Sequence, residues 1–227
     1  MILGEYMEDQ LNNNTIFLEG IVTAGLLFSH EVFCEKFYLF TLAVQRRSDK
    51  IDSIQITVSD KVLEDAAVEF GEELTVTGQL RSYNKFVDGR NKLMLTVFAR
   101  KISQTEQKSE DPNQIDLEGY ICKKPTFRMT PFGREITDLL IAVNRPYHKS
   151  DYIPVIAWGR NAHFVNSLAI GEKVKIHGRF QSREYQKNLS ETQTEIKIAY
   201  EVSVSEVVRL DDDDCDEPGM AVMTALG

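Results

Sequence analysis

The chain is 227 residues long, 42% hydrophobic and 27% charged, with a formal net charge of -9, which allows one large domain or two small ones with buried cores. No apolar run approaches the length of a bilayer span, and the three cysteines, Cys34, Cys122 and Cys215, are too far apart to suggest a chelating cluster or a disulfide framework. An acidic balance argues against a polyanionic partner only where it is evenly spread. Here residues 1–104 carry net -4, 105–114 net -2, 115–209 net +3 and 210–227 net -6.

The opening residues, 1–14, lack a basic start followed by an apolar core, so a soluble cytoplasmic protein is expected. Strands are predicted near Ile16–Thr23, Tyr38–Gln45 and Ile51–Val58. A helix follows from Asp60 to Phe70, with Asp60 placed to cap it and Val62, Leu63, Ala66, Ala67 and Phe70 on the helical spacing. Leu74–Tyr83 and Leu93–Lys101 read as two more strands. Residues 105–114 have no apolar period, contain Pro112 and read as a linker.

The pattern then returns. Phe17-Leu18-Glu19-Gly20 recurs as Asp116-Leu117-Glu118-Gly119, and Phe40–Arg46 recurs as Leu139–Arg145, both 99 residues on. Gly71–Ser82 recurs as Gly171–Ser182 at an offset of 100. Chance would not hold the offset to within one residue through three blocks, so the chain is a tandem repeat. The second copy has strands near Leu117–Lys123, Ile136–Asn144 and Tyr152–Trp158, a helix from Asn161 to Leu168, and strands Val174–Phe180 and Glu195–Val208. Three strands, a helix and two strands is the order of the OB-fold, a five-stranded Greek-key barrel with a helix plugging one end. The expected architecture is therefore all-β with one short helix per unit, as two tandem OB-folds. The boundaries are 1–104, a linker 105–114, 115–209, and an acidic, disordered tail 210–227.

The second unit carries the chemistry. In Tyr152–Trp158, alternation sends Tyr152 and Trp158 to one face and Ile153, Val155 and Ala157 to the other, with Ile156 sharing the aromatic face. From Lys173 onward, Val174, Ile176, Gly178 and Phe180 form an apolar set opposite Lys173, Lys175, His177, Arg179, Arg183 and Tyr185. Cations interleaved with aromatics suit phosphate neutralisation and base stacking. The competing readings are that Tyr152 and Trp158 fill a core and that the cations are a solvated strand face. Phe127, Arg128, Phe132 and Arg134 lie in the loop after the first strand, a region OB-folds use for binding. Arg160 and Lys187 fall in the same stretch and are counted with the candidate site. The four histidines show no ligand spacing and no catalytic glycine loop or nucleophile motif occurs, so neither a metal, a cofactor nor an enzyme is expected.

The run Thr130–Arg145, followed by Pro154–Arg160, Gly171–Val174 and Arg183-Glu184-Tyr185, resembles the bacterial single-stranded DNA-binding protein family over nearly the whole second unit. The resemblance implies stacking aromatics at Tyr147, Tyr152, Trp158 and Tyr185, an assembly of four folds, here a homodimer, and an acidic tail that recruits replication or repair proteins. It implies a bacterial, nucleoid-associated protein that coats single-stranded DNA in replication, recombination or repair. Two departures stand out: the chain ends Ala-Leu-Gly where the family usually ends in a Pro-Phe tip, and it carries two folds. In the first unit Ser48, Ser53 and Ser59 occupy the positions of Tyr147, Tyr152 and Trp158, and only Tyr83 answers Tyr185. That unit is expected to serve assembly, with Arg81, Tyr83 and Lys85 as a marginal site. The alternative is a replication or primosome accessory module that docks proteins and touches nucleic acid weakly. RNA is not separated from DNA by these features.

Overall fold

The computed structural model describes residues 12–64, 67–87, 89–188 and 194–210, without the side chains of 185–188 and 194–197. The elements are β1 (Asn14–Val32), β2 (Glu35–Gln45), β3 (Ile51–Ser59), α1 (Asp60–Leu63), β4 (Glu73–Val87) and β5 (Arg90–Gln104), then β6 (Asn113–Met129), β7 (Glu135–Arg145), β8 (Lys149–Trp158), α2 (Gly159–Asn166), β9 (Lys173–Asn188) and β10 (Thr194–Leu210). The strands run longer than their apolar cores because β1–β2, β4–β5, β6–β7 and β9–β10 continue outward as two-stranded hairpins.

Each unit closes on itself. β1 pairs with β2 and β4, β2 with β3, β4 with β5, and a short parallel contact of β3 with β5 completes the ring. β6 to β10 repeat this with a parallel contact of β8 with β10. The two units are tandem OB-folds, as the repeat implied. Long strands can bend into so small a barrel only where bulges and close crossings permit it. At Gly178 on β9 an added Cβ would overlap the carbonyl oxygen of Ser203, and Gly78 meets Phe98 in the same way. Gly178→Ala should therefore lower unfolding stability by roughly 1–3 kcal/mol in a urea titration. Gly25→Ala, which meets nothing within 4 Å, should change it little.

The barrels are joined by antiparallel pairing of β1 with β6, in the register Asn14↔Leu117, Ile16↔Ile115 and Leu18↔Asn113. Ile16 and Ile115 are themselves equivalent in the repeat, so the pairing runs through a local pseudo-two-fold axis. One cluster of buried apolar side chains extends through both units and includes Ile16, Leu18, Phe40 and Leu80 from the first and Ile115, Leu117, Ile141 and Phe180 from the second. Matching polar contacts secure each half. Asn14 Nδ2 donates to Leu80 O and Asn14 Oδ1 accepts from Leu80 N, and Asn113 does the same with Phe180.

The helices depart unequally from expectation. α2 starts and ends two residues earlier than the expected 161–168 and buries Ala162 and Val165, with Leu168 buried just beyond its end. In the first unit the described helix is a single turn, and Ser59, not Asp60, stands at its N-cap without a side-chain bond. Val68 is buried but Phe70 is exposed, so Phe70 does not share the predicted apolar face. Ala66 and the tail, residues 211–227, lie outside the described residues. Among the described residues no helix is long and apolar enough to cross a membrane.

Candidate nucleic-acid interface

β8 lies between β7 and β10, and its alternation holds as read: Asp151, Ile153, Val155 and Ala157 are buried while Tyr152 is 47% exposed and Trp158 half-buried. Ile156, between them on the outer row, is 2% exposed, so the aromatic face is covered at its middle and open at its ends. Tyr147 stands 65% exposed in the β7–β8 turn, where Tyr147 and His148 both take positive φ, 62° and 56°. That conformation costs a non-glycine residue about 1–3 kcal/mol, and it holds an aromatic ring out in solvent.

The cations divide into paired and unpaired. Register across β6 and β9 sets Glu118 opposite Lys175 and Asp116 opposite His177, and both pairs close, at 3.5 and 3.0 Å. Arg183 reaches Glu201 on β10 at 3.3 Å, and Arg128 takes Asp138 on β7 at 2.5 Å. Arg134, Arg160 and Arg179 are exposed and have no ion pair among the described residues. Tyr83 is exposed on β4 of the first unit. Tyr185 and Lys187 lie on β9, but their side chains are outside the described residues. Phe132, at the tip of the β6–β7 loop, is almost fully exposed, and Phe127 rests against the His163 ring at 5.2 Å.

A groove of about 1190 Å³ lies between the two units. Trp158, Arg134, Arg179 and Arg183 line it from the second unit, and Arg46, Lys50 and Ile51 line it from the first. The first-unit wall is set by Asp52, which is fully buried. Its carboxylate accepts from Arg46 Nη2 and Nε at 2.6 and 2.7 Å, from Ser182 N at 2.7 Å and from Ser182 Oγ at 2.9 Å. Arg46 Nη2 also donates to Ser182 O at 2.7 Å, so one arginine and one aspartate bind β3 to β9. The bond to Asp52 pushes the Arg46 guanidinium above its ordinary pKa, against the opposing effect of burial.

The equivalent clamp on the other side of the pseudo-axis is built from Asp151, also fully buried, which accepts from Ser82 N at 2.7 Å and Arg81 Nη1 at 3.2 Å, with Arg145 at 3.5 Å. Burial, with Arg145 adding like-charge repulsion, lowers the Arg81 pKa. Arg81 is thus turned into the junction between units. The sequence reading passed over Asp52 and Asp151, although Arg46 to Asp52 and Arg145 to Asp151 repeat at an offset of 99. Arg46, Lys50 and Ile51 were missed as lining residues because their neighbours belong to the other repeat.

Residues 112–208, the span that carries β8, β9 and the second-unit wall of this groove, match the model of the single-strand binding protein family. The second unit is similar to that family. Single-stranded DNA-binding protein 3 of Listeria innocua is 34% identical over 83 residues, which cover 34% of this chain and 52% of the relative. Single-stranded DNA-binding protein A of Bacillus subtilis is 33% identical over 81 residues, 33% of this chain and 47% of the relative. The chain spans about half the length of the curated relatives it matches. Across both units the fold is similar to the wild-type single-stranded DNA binding protein from Thermus aquaticus, with a TM-score of 0.70 at 21% identity over 90% of this chain and 96% of that one. The family is one of nucleic-acid binding and not of catalysis.

Proposed function

We propose that this chain binds single-stranded DNA without strong sequence preference, stacking bases on Tyr152 and Trp158 and neutralising phosphates with Arg134, Arg160 and Arg179. The observation that carries this reading is that β8 faces its aliphatic row into a closed core and its aromatic row outward, with Trp158 on the wall of a cation-lined groove. Tyr147, Tyr185, Tyr83, Arg128, Lys175, Arg183 and Lys187 complete the proposed surface. Coating of exposed strands in replication, recombination or repair follows from such binding. We also propose a homodimer supplying four folds, with the acidic tail as the attachment for replication or repair proteins.

Because Trp158 is the chain's single tryptophan, titration with unlabelled oligo(dT) reports on it directly. Its emission should be strongly quenched by the single strand and barely changed by duplex. The slope of log K against log[salt] should be about -0.7 for each phosphate neutralised. Binding without any change in Trp158 emission would remove this residue from the platform.

A second reading, a protein-docking module, draws on the β1–β2 hairpin of the acidic first unit. Leu27 and Phe28 are exposed along it, and Phe33 at its tip is 99% exposed with φ at 51°. No binding to either oligonucleotide would favour this reading.

A further inference from the structure

The pseudo-two-fold axis relates two junctions between the units, yet the side chains at them differ. At one junction the second unit contributes Trp158, Arg134 and Arg179. At the other, the corresponding positions of the first unit are Ser59, Glu35 and Gln79, so an aromatic, a cation and a second cation are replaced by a hydroxyl, an anion and an amide. Facing the first junction is the β2–β3 turn of the first unit, with Lys50 exposed and Ile51 60% exposed on the groove wall. Lys50 has no ion pair among the described residues. An exposed apolar side chain beside an unpaired cation, across an open groove from an aromatic ring, forms the same kind of surface as the platform itself.

The second unit needs such a continuation. Lys175, Arg183 and Arg128 already face carboxylates, so the phosphate-neutralising capacity of its own face is smaller than its count of cations. We propose that a bound single strand leaves the second unit at its Trp158 end, passing along Arg179 onto the Lys50–Ile51 turn of the first unit. That turn then forms part of the binding site. The inference rests on the proposed single-strand binding. It differs from it in giving the acidic first unit a second contact with the strand, at the Lys50–Ile51 turn, apart from Tyr83 on β4.

The test compares Lys50→Ala with Lys101→Ala. Lys101 is also exposed in the first unit but lies on β5, away from the groove, so the two variants change net charge equally. Each is titrated with oligo(dT) at several salt concentrations, with Trp158 emission as one readout and anisotropy of a labelled strand as the other. Lys50→Ala should weaken binding several-fold at low salt and make the salt slope shallower by about 0.7, Lys50→Arg should restore both, and Lys101→Ala should match the parent protein. If the parent quenches Trp158 and binds, but Lys50→Ala keeps the same slope and affinity, the crossing is overturned and the platform stands. Equal weakening by both lysine variants would also overturn it, since only the overall charge would then matter. A parent protein that binds no single strand overturns the platform and the crossing together.

Discussion

The double variant Tyr152→Ala, Trp158→Ala should bind oligo(dT) at least about 30-fold more weakly than the parent protein. Each base stacked on an aromatic ring contributes roughly 1–3 kcal/mol by alanine substitution, so two rings together give about 2–6 kcal/mol. The measurement is anisotropy of a labelled strand, because the variant has lost its only tryptophan. Fold is a separable question here: the row that faces the core, Ile153, Val155 and Ala157, is untouched by either change, and the variant should keep its strand-rich circular dichroism. Residual affinity near that of the parent would place the binding surface elsewhere, with the exposed aromatic hairpin of the first unit as the next region to alter.

Asp52→Ala should lower unfolding free energy by about 3–5 kcal/mol, the usual cost of removing one partner from a buried ion pair. Three donors lose their acceptor at once: the Arg46 guanidinium and the N–H and hydroxyl of Ser182. Urea unfolding of Asp52→Ala, Arg46→Ala and the double variant separates the penalty of an orphaned charge from the worth of the pair. The double variant should recover part of the loss, giving a coupling of about 0.5–3 kcal/mol. A loss below about 1 kcal/mol for Asp52→Ala would mean that β1–β6 pairing and the shared apolar cluster hold the units together without this clamp.

The repeat made most of the architecture legible. Three blocks at offsets of 99 and 100 point to two copies of the same strand order, and alternation in Tyr152–Trp158 separates an inward row from an outward one. Ile156 marked in advance the place where the outward face is covered. What sequence could not supply was register between strands. Lys175 and His177 stand on the outer face as read, but whether they are available to phosphate depends on Glu118 and Asp116, which only the pairing of β6 with β9 brings opposite them.

The same limit hid the clamps. A charged residue on a strand is ordinarily solvated, and Asp52 and Asp151 become fully buried only because β9 and β4 of the opposite repeat supply their donors. The first helix failed for a different reason. Helical spacing at Val62, Leu63 and Phe70 was real, but Phe70 lies just before Gly71, whose φ of 88° begins the turn into β4, and there it points to solvent.

Pairing of β1 with β6 across Ile16 and Ile115 sets two barrels in the relation that two separate chains would otherwise have to reach by collision. Here the partner is tethered by the short segment between β5 and β6, so its effective local concentration is on the order of millimolar however dilute the protein becomes. The paired arrangement therefore follows first-order kinetics and does not fall apart on dilution. A titration carried to picomolar protein would still be reading a two-barrel particle, and any concentration dependence found there belongs to contacts between chains.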